Sequence, residues 1–199
     1  MMMKHLVIAL TFGFALCTWA GADDGFKPIF DGKTLDGWKV NEGGKAFKVE
    51  DGAITGRGGR GHVFYVKEEF QDFEMKVDVK INEGGNSGIY FHTAFQDEGW
   101  PDAGHEVQVN NTHKDPVKTG SLYGVVKLYE SAGKDNEWFT MHIAVKGRNL
   151  VVRVDGKRVL DYTQPNGVTG VKKIERGLIA FQQHDPGSVV QYRNVLVKK

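Results

Sequence analysis

An all-β jelly-roll sandwich is the fold class that this sequence predicts, and three observations carry it. Apolar residues recur at every second position through most of the chain. No stretch of eleven or more residues holds a 3.6 period, and 26 glycines punctuate the pattern. About ten short strands joined by frequent turns pack as two sheets or close as a barrel, and nothing resembling a linker divides them.

The elements follow in order. Strand-like runs lie at 46–49, 62–66, 73–81, 88–95, 106–109, 123–128, 141–145, 150–154, 157–161, 178–183 and 189–197. The clearest is 73–81, where Phe73, Met75, Val77, Val79 and Ile81 alternate with Glu74, Lys76, Asp78 and Lys80. That pattern is a half-buried antiparallel strand with one charged face in water. Asp155-Gly156 between two such runs is a hairpin signal, because both positions tolerate positive φ.

Ahead of the first run stands a leader. Lys4 precedes an apolar stretch from Leu6 to Cys17, and the segment ends Ala20-Gly21-Ala22. This pattern predicts a signal peptide over residues 1–22, cleaved after Ala22, and a single domain over 23–199. The apolar stretch is well short of the ~20 residues that cross a bilayer, so no membrane span is expected. Cys17 is the sole cysteine, and Leu16 before it is bulky where lipidation favours a small residue. Cleavage leaves a chain without cysteine, bound for the periplasm or the exterior.

Lys and Arg number 26 against 25 Asp and Glu, and Lys4 carries the excess. The mature chain is therefore neutral, with no basic run to serve as a nucleic-acid footprint. A small, neutral or carbohydrate partner fits better.

The stretch from Gly84 to Gly124 is the richest in functional side chains. Period two places Tyr90 and His92 on one face, with Ile89, Phe91 and Thr93 on the other. It likewise aligns Glu106, Gln108 and Asn110 in a polar stripe with neighbours roughly 7 Å apart. On an outward face such a stripe is ordinary solvated surface; beside Trp100 and several histidines it is a candidate site. Glu106 is followed by the amides Gln108, Asn110 and Asn111, so the second carboxylate of an acid/base glycosidase is missing from this strand. His92, His105, His113 and His184 with Glu106 raise the question of a divalent cation, although none has the spacing of a tight metal site. His62 and His142 read as structural or surface histidines. Of Trp38, Trp100 and Trp138, Trp100 in its Gly/Pro-flanked loop is the candidate for stacking on a sugar ring.

Several motifs together carry a resemblance. Phe30-Asp31-Gly32-Lys33-Thr34-Leu35-Asp36-Gly37-Trp38 opens the series, and Asn86-Ser87-Gly88-Ile89-Tyr90-Phe91 and Gly104-His105-Glu106-Val107-Gln108-Val109 follow. Thr119-Gly120-Ser121-Leu122-Tyr123-Gly124 and Phe181-Gln182-Gln183-His184-Asp185 complete it. In order and spacing these motifs resemble the 3-keto-disaccharide hydrolase domain, whose fold is of the concanavalin A-like lectin and glucanase type.

The resemblance implies a hydrolase or lyase acting on glycosides already oxidised at C3. A ketone at C3 acidifies the C2 proton, so one base suffices and the absent second acid is accounted for. Glu106 and His92 are the two candidates for that base. Gln108, Asn86, His184 or a bound divalent cation are candidates for holding the oxyanion. Tyr90, Trp100, Asn110, Tyr123 and Gln182 complete the expected substrate-binding set. The rival reading is a carbohydrate-binding module without catalysis, since lectin-like sandwiches bind sugars readily.

Overall fold

In the computed structural model the run at 73–81 forms β6 (Phe73–Ile81), with every odd position buried and every even position part-exposed. The structure describes residues 24–199; the leader, Cys17 and the expected cleavage after Ala22 lie outside them. On one side β6 pairs with β9 (Phe139–Lys146), which continues to β10 (Asn149–Val154) and β11 (Lys157–Thr163). On its other side runs β13 (Val190–Lys198), followed by β4 (Ala53–Gly56) and β3 (Phe47–Glu50). A short β1 (Lys27–Pro28) also adds to β13. The hairpin at 155–156 forms as expected, with Asp155 at φ 47 and Gly156 at φ 78.

The second sheet has the order β2 (Trp38–Val40), β5 (Gly61–Phe70), β12 (Gly177–Gln183), β7 (Ser87–Thr93), β8 (His105–Val109). All pairings in both sheets are antiparallel. This is the β-sandwich that the sequence predicts. One apolar core fills the space between the sheets, with Met75, Val77, Met141 and Ile143 facing Ile89, Phe91, Val107 and Phe181. Phe181 and Tyr192 stack across it with centroids 4.0 Å apart, and the Tyr192 hydroxyl reaches Ser87 Oγ at 2.6 Å. Among the described residues no helix is long and apolar enough to cross a membrane.

The two faces of the five-stranded sheet have different fates, and that difference positions the site. Every residue of β7 is buried. Ile89 and Phe91 enter the main core, while Tyr90 joins Phe64 and Ala180 in a small separate cluster beneath Phe95 and Leu178. The outward face is therefore roofed by long connections rather than left to solvent.

The run at 123–128 is not a strand. It is a turn in which the amides of Val125 and Val126 both donate to the Leu122 carbonyl, with isolated bridges from Leu122 to Val107 and Val126. The short strands β1 and β2 carry too few residues to show a period, and β4 is buried at all four positions, so none of the three shows an alternation to read.

Candidate active site

Register across the outward face brings the polar residues together. Tyr90 pairs with Glu106 and Gly88 with Gln108 between β7 and β8, while Gln182 reaches the same place from β12. Tyr90 donates its hydroxyl proton to Glu106 Oε2 at 2.9 Å. Gln182 Nε2 donates to Glu106 Oε1 and to the Tyr90 hydroxyl, each at 3.1 Å. The carboxylate lies over Gly88, where any side chain would collide with it: a Cβ there would stand 2.0 Å from Glu106 Oε1. The glycine in the Asn86-Ser87-Gly88 motif is thus a requirement of the neighbouring strand.

Burial of the carboxyl pushes Glu106 up to about 7, against the lowering pull of Tyr90, Gln182 and the more distant Lys172. Burial pushes the Tyr90 phenol up as well, further raised by the charge of Glu106, so Tyr90 stays a neutral donor. Beside this trio, Gln108 Nε2 donates to Asn86 Oδ1 at 3.1 Å. The acceptor oxygens of both glutamines, Gln108 Oε1 and Gln182 Oε1, are buried without a partner. Orphaned acceptors of this kind on a cavity floor suit the hydroxyl groups of a ligand.

These residues floor a cavity of about 630 Å³. Trp100, 42 % exposed, forms one end; its ring lies 5.2 Å from that of His184, and His184 Nδ1 lies 2.9 Å from Asp185 Oδ2. At the opposite end, beyond the edge strand β8, the turn bearing Tyr123, Gly124 and Val125 closes the wall. Among the described residues that line the cavity, Glu106 is the sole carboxylate. The missing second acid inferred from the strand sequence therefore holds for the whole cavity.

The cavity gathers Asn86, Tyr90, Trp100, Glu106, Gln108, Tyr123, Gln182 and His184 from the expected set. Two expectations are corrected. His92 does not face the cavity, because β7 carries an extra residue between Tyr90↔Ala180 and Thr93↔Leu178. This bulge sets His92 at φ 54 and turns its ring between Phe73 and Phe91. Both ring nitrogens are engaged there, Nε2 with the Gln71 carbonyl at 2.8 Å and Nδ1 with the Glu175 amide at 3.0 Å. Gly104 and Gly177 make room for the bulge, since a Cβ on either would meet the backbone of Phe91 to Thr93 within 2.5 Å. Asn110 is the second correction. It lies just past the end of β8, and its Nδ2 donates to the carbonyls of Asp115 and Val117 at 3.0 and 2.8 Å. Its amide shapes a loop and leaves the stripe at two residues.

Three contributors have no clear sequence signal. Lys172 comes from the long connection after β11 and donates Nζ to the Pro101 carbonyl at 2.8 Å. Burial lowers its pKa, while Glu106 and then Asp102 pull it the other way. Val125 lies in the run read as a strand. His62, read as structural or surface, is fully buried beside the site, its ring 5.4 Å from Tyr90 and 5.6 Å from Trp100. Burial pulls it down to about 3, so it stays neutral as a support for those two rings.

For a divalent cation the residues present do not fit. Among the described residues no three His, Cys, Asp or Glu side chains converge on one point. His92 and His105 both pack against Phe91, whereas His113 and His184 lie together with ring centroids 5.8 Å apart.

Comparison with known proteins gives the family and the fold. A family model described as "3-keto-alpha-glucoside-1,2-lyase-like domain" matches residues 25–198. A curated 3-keto-disaccharide hydrolase of Bacteroides thetaiotaomicron is 28% identical over an alignment 170 positions long, with 70% of this chain and 59% of that protein covered. The chain thus spans about three fifths of the length of this relative. A solved structure of a candidate glycosyl hydrolase from Parabacteroides distasonis superposes with TM-score 0.73 at 25% identity, covering 87% of this chain and 93% of that one. The carbohydrate-binding module CBM66 of Bacillus subtilis shares the fold, with TM-score 0.59 at 15% identity over 82% of this chain and 96% of that one.

Proposed function

Because the chain belongs to the 3-keto-alpha-glucoside-1,2-lyase-like domain family, we propose that it cleaves glycosides whose sugar already carries a ketone at C3, with Glu106 as the base. One observation carries this reading: Glu106, the lone carboxylate among the described residues that line the cavity, is held by Tyr90 and Gln182 and balanced at about 7. A base with a pKa near the working pH combines a useful ionised fraction with enough basicity to take a carbon-bound proton.

The chemistry runs in two stages. Glu106 takes the C2 proton, the C–H pair becomes the C2=C3 bond, and the carbonyl pair moves to O3 as an enediolate. The O3 pair then returns, C1=C2 forms, and the aglycone leaves C1 and takes up a proton. Addition of water across C1=C2, with the proton returned to C2, completes a net hydrolysis. Gln108, Gln182 and Asn86 bind the sugar hydroxyls, Trp100 and His184 support the ring face, and Lys172 supplies positive charge at the cavity wall. With the leader cleaved, such an enzyme meets its substrate in the periplasm or outside the cell.

Pure protein incubated with a 3-keto-glucoside tests the reading. Release of 3-keto-glucose, or of the unsaturated keto sugar, is the expected result. Saturable binding without product would replace the enzyme by a carbohydrate-binding module.

A further inference from the structure

Glu106 has a counterpart in the cavity. Among the described residues that line it, Lys172 is the sole lysine or arginine, as Glu106 is the sole carboxylate. Hydrogen bonds on both sides hold the connection that carries Lys172. Its Nζ donates to the Pro101 carbonyl at 2.8 Å, and the Gly104 amide donates to the Val171 carbonyl at 2.9 Å. The Ile174 amide donates to Gln164 Oε1 at 2.8 Å, and the Glu175 amide to His92 Nδ1 at 3.0 Å. The bulge that takes His92 out of the cavity thus anchors the segment that puts Lys172 into it.

Donors and acceptors are divided across this lining. An ammonium group has three N–H donors and no acceptor. One is spent on Pro101, and among the described residues the others have no protein partner. The floor offers the opposite, with Gln108 Oε1 and Gln182 Oε1 buried as acceptors without a donor. A sugar hydroxyl satisfies those oxygens because it can donate. A ketone oxygen only accepts, and a charged donor is the strongest partner it can find. A hydroxyl turned to the same place brings a proton that a donor-only group cannot take up.

We propose that Lys172 is the residue that selects the ketone: it binds O3 of the keto sugar in preference to the parent hydroxyl and stabilises O3 as the enediolate forms. The step needs no co-reactant. Glu106 takes the C2 proton and becomes neutral, the C2–H pair becomes C2=C3, and the carbonyl pair passes to O3. One negative charge therefore moves from the carboxylate to O3, and the ammonium exchanges one counter-ion for another. O3 stands two bonds from C2, so that charge moves only a short way whichever direction the ring faces. Glu106 and Lys172 already act on each other, each favouring the ionised form of its partner. The inference rests on the proposed keto-glycoside cleavage and names the residue that selects its substrate.

The test uses 1,5-anhydroglucitol and its 3-keto derivative, which have no leaving group at C1 and so separate binding and proton transfer from cleavage. Wild type should bind the ketone about tenfold more tightly than the alcohol, the scale of one hydrogen bond to a charged group. It should also exchange the C2 proton of the ketone in D2O, read by mass spectrometry. In Lys172→Met the ketone preference should fall toward one while the Kd of the alcohol stays within about threefold. C2 exchange should drop about 10²-fold or more, as for loss of one oxyanion donor. A wild type that binds both ligands alike overturns the role of Lys172, as does a variant that keeps the preference, loses both ligands together or exchanges C2 at the wild-type rate. In each of these cases turnover of a 3-keto-glucoside by wild type leaves the cleavage reading intact. A wild type that neither exchanges C2 nor cleaves a 3-keto-glucoside overturns both.

Discussion

The Tyr90 hydroxyl donates to Glu106 Oε2 at 2.9 Å across the β7–β8 pair, and the same hydroxyl accepts from Gln182 Nε2 at 3.1 Å. Gln182 Nε2 also donates to Glu106 Oε1, so the three residues close a ring of hydrogen bonds in which Tyr90 and Gln182 favour the ionised carboxylate, opposing the burial that disfavours it. Burial on one side and these hydrogen bonds on the other bring Glu106 to about 7.

Tyr90→Phe removes the donor and keeps the ring. Glu106 should then rise further above about 7, so less base is present at neutral pH. The acid limb of the kcat/KM profile should move to higher pH, with activity at pH 7 down about tenfold and partial recovery at pH 9. A profile that falls uniformly without moving would show that Tyr90 does not tune the carboxylate.

Glu106→Gln removes the base and should lower turnover by about 10³, within the range that a positioned general base contributes. Stability gives a second readout. The folded-state pKa of about 7 exceeds the ordinary 4.5, so the wild-type fold holds a proton that the unfolded chain releases. The stabilisation linked to that proton is complete below pH 4.5 and is lost as pH rises through about 7. At pH 8 the amide avoids this loss, on the order of 3 kcal/mol. Melting of the variant should therefore exceed wild type at pH 8, with the gap closing toward pH 4.

Much of the fold was legible because its strands obey a strict period. In β6 the alternation of apolar and charged residues is complete, and the faces follow directly. The same rule set Tyr90, Glu106 and Gln108 correctly on the outward face. It failed at His92, where one inserted residue reverses the alternation, and at Asn110, where the strand ends. Gly104 and Gly177, which make space for the bulge, were visible as residues, but the partner that each accommodates lies far off in sequence or on another strand. Lys172 and Val125 reach the cavity through long connections, whose paths no local period encodes. A buried His62 between Tyr90 and Trp100 was equally invisible, since burial of the outward face depends on which loops roof it.

Gly88→Ala tests the cross-strand fit. The added methyl would lie 2.0 Å from Glu106 Oε1 and 2.7 Å from Glu106 Cγ, so the carboxylate must leave its place between Tyr90 and Gln182. Activity should fall about 10²-fold or more, the scale on which misplacement of a reacting group by ~1 Å acts. Stability should drop by about 1–3 kcal/mol, the usual cost of overpacking. Retention of full activity would mean that Glu106 has no need of its present position, and the assignment of the base would fall with it.

Asn110→Ala separates the loop-shaping role from a substrate-binding one. The change removes a 2.8 Å donor from the buried Val117 carbonyl and a 3.0 Å donor from the part-buried Asp115 carbonyl, which keeps Lys118 Nζ at 2.9 Å. Two such losses cost about 2 kcal/mol net, which for a chain of this size lowers the melting temperature by about 5 °C. Below that temperature the carboxamides of Gln108 and Gln182 keep their places, because neither bonds to Asn110. KM for a 3-keto-glucoside should therefore stay within about threefold of wild type. A KM raised tenfold in a variant with an unchanged melting curve would return Asn110 to the binding surface and contradict the position that the end of β8 gives it.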